Sequence, residues 1–189
     1  LPRLPEAAAL ELSMMMRFVR SIPFAGALFA VLWLASQSHA SAAEELPRIE
    51  IYEFGLYESG ESLGESHPPN QGFRHEFVSH VTHLETTNIV PGRLGITFGV
   101  RYRVHSEGTV VPTRIVLRFP EQGLYNPQFP TALPIDVTES LQLDGDEGFN
   151  VITFTEQWEI EPGIWKFEFW IGDEKSSEQI FEVITPPIS

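Results

Sequence analysis

The sequence predicts an all-β fold, an antiparallel β-sandwich of seven to eight strands behind an N-terminal signal peptide. Three observations predict it. No window from Leu46 onward sustains a helical period. Alternating apolar and polar runs recur instead, and clusters of Gly, Pro, Asp and Asn separate them. A basic and then apolar segment precedes all of this.

The first forty residues are expected to lie outside the fold. Met14, Met15 and Met16 lead to Arg17 and Arg20, then to the apolar run Ile22–Ala35, then to small residues at Ser38 and Ala40. That order is a secretory leader, residues 14–40, with cleavage after Ala40. The run is shorter than the ~20 apolar residues that span a bilayer, which argues against a retained anchor. Residues 1–13 read as an over-extended start, and 41–46 as a short tail. Residues 47–186 then form a single sandwich domain. The expected location is periplasmic or secreted, with no stable membrane insertion after cleavage.

The strands follow in order. Arg48–Tyr57 is the first and His75–Thr87 the second, divided by the flexible loop Ser59–Gly72. In Gly95–His105, Ile96, Phe98, Val100, Tyr102 and Val104 alternate with Thr97, Arg101, Arg103 and His105, the period of a half-buried strand. After the turn "SEGT", Val111, Thr113, Ile115, Leu117 and Phe119 resume the pattern, so the two segments read as a hairpin. Pro120–Pro134 carries four prolines and is expected to cross over irregularly. A strand near Ile135–Leu141 precedes Phe149–Trp158. Glu161-Pro162-Gly163 then turns into a strand that points Trp165, Phe167, Phe169 and Ile171 inward. Gly172-Asp173 turns the chain back, and Gln179–Ile184 closes the sheet. Seven or eight short alternating strands in about 149 residues describe an immunoglobulin-like sandwich.

Composition removes several functions. The chain has no cysteine, which excludes disulfides, thiol catalysis and cysteine-ligated metals. Without the leader, 9 basic side chains face 24 acidic ones, a net charge of −15, so nucleic acid is repelled. Gly-x-Ser-x-Gly, the P-loop and the dinucleotide fingerprint are all missing.

"RHEFVSHVTH", residues 74–83, holds three of the six histidines. On a strand, His75 and His83 share a face but stand about 27 Å apart, and His80 points the other way. On a helix, Glu76, His80 and His83 would align, but Val78, Val81, Thr82, Thr86 and Thr87 favour a strand. His67 and His105 cannot be placed from sequence. In "LDGDEG", residues 143–148, Asp144, Asp146 and Glu147 begin like a calcium loop. The spacing stops short of a bidentate Glu, and Asp-Gly is ordinary turn chemistry. A paired-carboxylate hydrolase is disfavoured because no Glu sits in an apolar frame. Trp158 belongs to the same aromatic set as the inward Trp165, and Trp170 falls on the polar face with Lys166 and Glu168. Within the expected hairpin, Arg101 opposes Arg114 and shares an outer face with Arg103 and Arg118. Glutamates from a neighbouring strand would offset these like charges; a docking patch of Arg101, Arg103, Arg114, Arg118 and Trp170 is the functional reading.

"EPGIWKFEFWIGDEKSSEQIFEV" (161–183), "LGITFGVRYRV" (94–104) and "YEFGLYE" (52–58) together resemble an exported bacterial family, the domain of unknown function 3859. The likeness runs from about Pro47 to Ile184. It implies a β-sandwich with a leader, and it implies a periplasmic setting in a Gram-negative bacterium. It transfers no catalytic residues. The expected function is a non-catalytic exported binding module without a cofactor, whose partner is an unknown protein or glycan. The alternative is a small metal-binding or hydrolytic periplasmic enzyme using His75, His80, His83 and nearby glutamates.

Overall fold

A computed structural model describes residues 46–66, 75–128 and 131–185 of the chain. The expected leader, the residues before it, the expected tail up to residue 45 and His67 lie outside the described residues.

Eleven strands are present among the described residues. A four-stranded sheet has the order β4 (Val81–Glu85), β1 (Arg48–Ser59), β6 (Thr97–His105), β9 (Glu147–Thr153). A five-stranded sheet has the order β5 (Ile89–Pro91), β11 (Glu174–Ile184), β10 (Gly163–Ile171), β7 (Val110–Arg118), β8 (Ile135–Leu143). A separate arm pairs β2 (Ser62–Ser66) with β3 (His75–Val78). All pairings are antiparallel except β5 with β11. Two such sheets sharing one core make an immunoglobulin-like sandwich, the class the alternation predicts.

The core is aromatic because both inner faces present large rings at every second position. Phe98, Phe154, Trp165, Phe167, Phe169 and Phe181 are all fully buried. The Phe98 ring meets Phe181, Phe154, Trp165 and Phe167 with centroids 5.2–5.9 Å apart, mostly edge to face, the arrangement ring quadrupoles favour. The buried Trp165 satisfies its indole by donating to the Glu161 carbonyl at 2.9 Å. Trp165, Phe167 and Phe169 therefore point inward as the alternation requires.

Four sequence expectations are corrected. Gly95–His105 and Val111–Phe119 do not form a hairpin, since β6 and β7 belong to opposite sheets. A strand has two edges: those of β6 are taken by β1 and β9, and those of β7 by β10 and β8. Ser106–Thr109 thus carries the chain from one sheet to the other. Its cross-over is held by the Asp144 carboxylate, which accepts the Ser106 N–H at 2.7 Å. His75–Thr87 is two strands, broken where Ser79 and His80 turn, and Gly60 donates to the His80 carbonyl at 2.9 Å. The loop from Ser59 contains β2. The strand expected to run to Trp158 ends at Thr153 and gives way to a 3-10 turn, Gln157–Glu159. There the Glu159 carboxylate turns back and accepts the N–H groups of Thr155 and Glu156 at 2.7 and 2.9 Å.

Candidate functional site

The arginines separate with the strands that carry them. Arg101 and Arg103 stand on the four-stranded sheet, Arg114 and Arg118 on the five-stranded one, so one patch of four arginines is not formed. The reason is the cross-over at Ser106–Thr109. Each arginine has a partner from an adjacent strand. Arg101 lies 3.3 Å from Glu53 and also donates to the Val81 carbonyl. Arg103 Nε donates to Glu147 at 2.9 Å. Arg118 Nε donates to the buried Glu168 carboxylate at 2.9 Å. Arg114 lies over the Trp170 ring, 5.2 Å from its centroid, and Trp170 donates to Glu168 at 3.3 Å. Trp170, Arg114 and Arg118 therefore share the outer face of the five-stranded sheet.

The histidines separate too. His75 Nε2 lies 3.1 Å from Asp136 Oδ1, His80 Nδ1 lies 3.0 Å from the neighbouring Ser79 hydroxyl, and His83 Nε2 lies 3.2 Å from the Thr86 hydroxyl. His105 pairs with Glu50 at 2.8 Å on the far side of β1. Among the described residues, no three His, Asp or Glu side chains are placed to hold one metal ion. The acids of "LDGDEG" are spent on separate partners: Asp146 accepts the Leu143 N–H of its own turn at 2.7 Å, Asp144 accepts the Ser106 N–H of the cross-over, and Glu147 accepts from Arg103.

What the fold does assemble is a cleft of about 500 Å³ between the edge strands β8 and β9, flanked by the β2–β3 arm. Ile115 and Leu117 form its apolar floor. Thr138 and Ser140 from β8 and Asn150 from β9 supply short hydroxyl and amide groups. His75 reaches from β3 to Asp136 at one side. The hydrogen bond to Asp136 raises the His75 pKa above its ordinary value, with burial opposing it. Tyr102 lies at the other side, where its hydroxyl accepts the Gln142 amide at 2.8 Å. Gly148 makes room for that ring: a Cβ there would stand 2.6 Å from the Tyr102 oxygen.

These cleft residues escaped the sequence reading because β8 is inverted. Asp136 is buried, whereas Ile135, Leu141 and Leu143 are exposed on the outer face. The sequence places a strand near Ile135–Leu141 but does not fix which of its faces is inward. The register decides it: Ile135 and Glu139 stand opposite Arg118 and Arg114 on the outer face. β9 follows suit, with Asn150 opposite the inward Val100 and the exposed Phe149 beside Arg101.

No curated protein matches the chain. Among solved structures it is similar to an immunoglobulin-like protein from Pseudomonas aeruginosa, with 24% identity over 75% of this chain and 99% of that one, and a TM-score of 0.48. The sequence of residues 45–183 matches the model of a family across both sheets and the arm. The chain belongs to that family, described as Domain of unknown function (DUF3859).

Proposed function

We propose that this chain is a non-catalytic binding module, exported to the periplasm or secreted, which takes its ligand in the cleft between β8 and β9. The carrying observation is the cleft itself, an apolar floor edged by short polar groups, the usual make-up of a ligand site. Three of its four carboxylates are occupied in structural roles. Glu159 accepts backbone N–H groups, Glu147 holds Arg103, and Asp136 holds His75. The enzyme alternative lacks support, since His75, His80 and His83 each have a different partner.

Chemical-shift mapping of the full chain with a panel of cationic, anionic and neutral peptides and neutral and anionic oligosaccharides tests this reading. The expected result is a ligand whose shifts concentrate at Thr138, Ser140 and Asn150 and vanish in Ser140→Trp, which fills the cleft. A panel whose every response maps to the outer faces overturns it.

A further inference from the structure

All seven residues of β9 line the cleft, whereas β8 contributes only Asp136, Thr138 and Ser140. Every second residue along a space marks a strand's face, and consecutive residues mark its edge. The edge of β9 therefore looks into the cleft. Bonds at its two ends fix which backbone groups point there. Phe154 donates to the Ile96 carbonyl at 3.0 Å, and the Asp146 carbonyl accepts from Val104 at 2.9 Å. Even-numbered residues thus turn toward β6, and the N–H and C=O groups of Phe149 and Val151 turn toward the cleft. Among the described residues, no hydrogen bond uses those groups, because β9 pairs only with β6.

We propose that the cleft takes an extended cationic peptide segment of another protein, added as a further strand to the edge of β9. The proposal rests on the binding reading above and names its ligand class. A row of unused donors and acceptors is a template for strand addition, and here open volume lies beside it. The cleft lining holds four carboxylates and no Lys or Arg; Asp136 is paired with His75 and Glu147 with Arg103, so the uncompensated charge is that of Glu76 and Glu159. With a chain charge of −14 around it, this site favours Lys or Arg on the inward residues of the incoming strand. The outward residues would lie beside Phe149 and Val151, which favours apolar side chains there. A second copy of this chain is a poorer occupant. Its own β9 is flanked by an arm, and its charge has the same sign.

Calorimetric titration of the full chain with a peptide of about ten alternating Lys and Val residues, long enough to cover β9, tests the proposal. Two controls accompany it: the same peptide N-methylated at alternate residues, and its Glu–Val counterpart. Both controls are expected to bind at least roughly tenfold more weakly. Amide exchange at Phe149 and Val151 should slow in the complex. Val151→Pro removes an edge N–H outside the β6 ladder and should abolish binding with the fold retained; if that variant unfolds, the N-methylated peptide decides. Equal binding of the N-methylated peptide, or protection appearing on β8 instead, overturns strand addition to β9. A dimer formed through β9 overturns the choice of occupant. If the Lys–Val peptide fails while another panel ligand maps to the cleft, this proposal falls and the binding reading stands. If nothing maps to the cleft, both fall.

Discussion

His75 Nε2 meets Asp136 Oδ1 at 3.1 Å and so ties the β2–β3 arm to β8 beside the cleft. The Asp136 hydrogen bond raises the native pKa of His75 above 6.5, so the protonated imidazole is favoured by folding. Its contribution is fully present below pH 6.5 and is lost as pH rises through the higher native value. Amide exchange in His75–Val78, corrected for intrinsic rate, should therefore be faster at pH 8 than at pH 6. His75→Gln should remove that difference. Persistence of the difference in the variant would overturn its assignment to His75.

Phe98 is the ring around which the core is built. Phe98→Ala should cost about 3–5 kcal/mol, the range for a buried aromatic whose cavity collapses only in part. Urea unfolding monitored by tryptophan fluorescence measures it, because Trp165 lies 5.7 Å from the Phe98 ring. A cost under about 1 kcal/mol would contradict the packing described.

Burial pushes the Glu168 carboxyl up, but the hydrogen bond and charge of Arg118 outweigh it and hold the pKa below the usual value. A depressed native pKa contributes stability above the unfolded value and loses it as pH falls through the native one. Glu168→Ala should cost about 1–2 kcal/mol at neutral pH, less than a fully buried pair, because Arg118 is half-exposed. The gap between wild type and variant should narrow as pH falls below 4.5. Acid titrations of thermal midpoints provide the check.

Gly148→Val places a branched side chain where the Tyr102 oxygen stands. It should destabilise by about 1–3 kcal/mol through overpacking. Cleft ligands should lose affinity in the same variant, since Tyr102 lines that space. A crystal structure or ligand titration of the variant tests both effects.

Arg101 and Arg114 lie on different sheets and share no partner. Arg101→Ser and Arg114→Ser should therefore act additively, with a coupling under about 0.5 kcal/mol. A favourable coupling of about 1 kcal/mol or more, as expected for relief of directly opposed like charges, would restore the hairpin reading.

The sandwich was legible because an inner strand face shows directly in the chain. Phe98, Val100, Tyr102 and Val104, or Trp165, Phe167 and Phe169, recur at period two wherever both neighbours and the opposite sheet bury them. The break at Ser79 and His80 was not legible, because β-branched residues continue on both sides of it. Nor was β5, whose three residues are too few to show a period.

By itself, the sequence determined the strand-rich class, the aromatic inner faces, the cysteine-free chemistry and the acidic charge. Each of these is a local or summed property of residues. The partners of each strand, and hence the site, were decided only by tertiary structure. The alternation in β6 and β7 is compatible with one sheet or two, and the cross-over sent Arg101 and Arg114 apart. The alternation in β8 is compatible with either face inward. Pairing with β7 turned Asp136, Thr138 and Ser140 toward the cleft and left Ile135 and Leu141 outside. Period two states that a strand has two faces; only the neighbouring strand's register states which one the core receives.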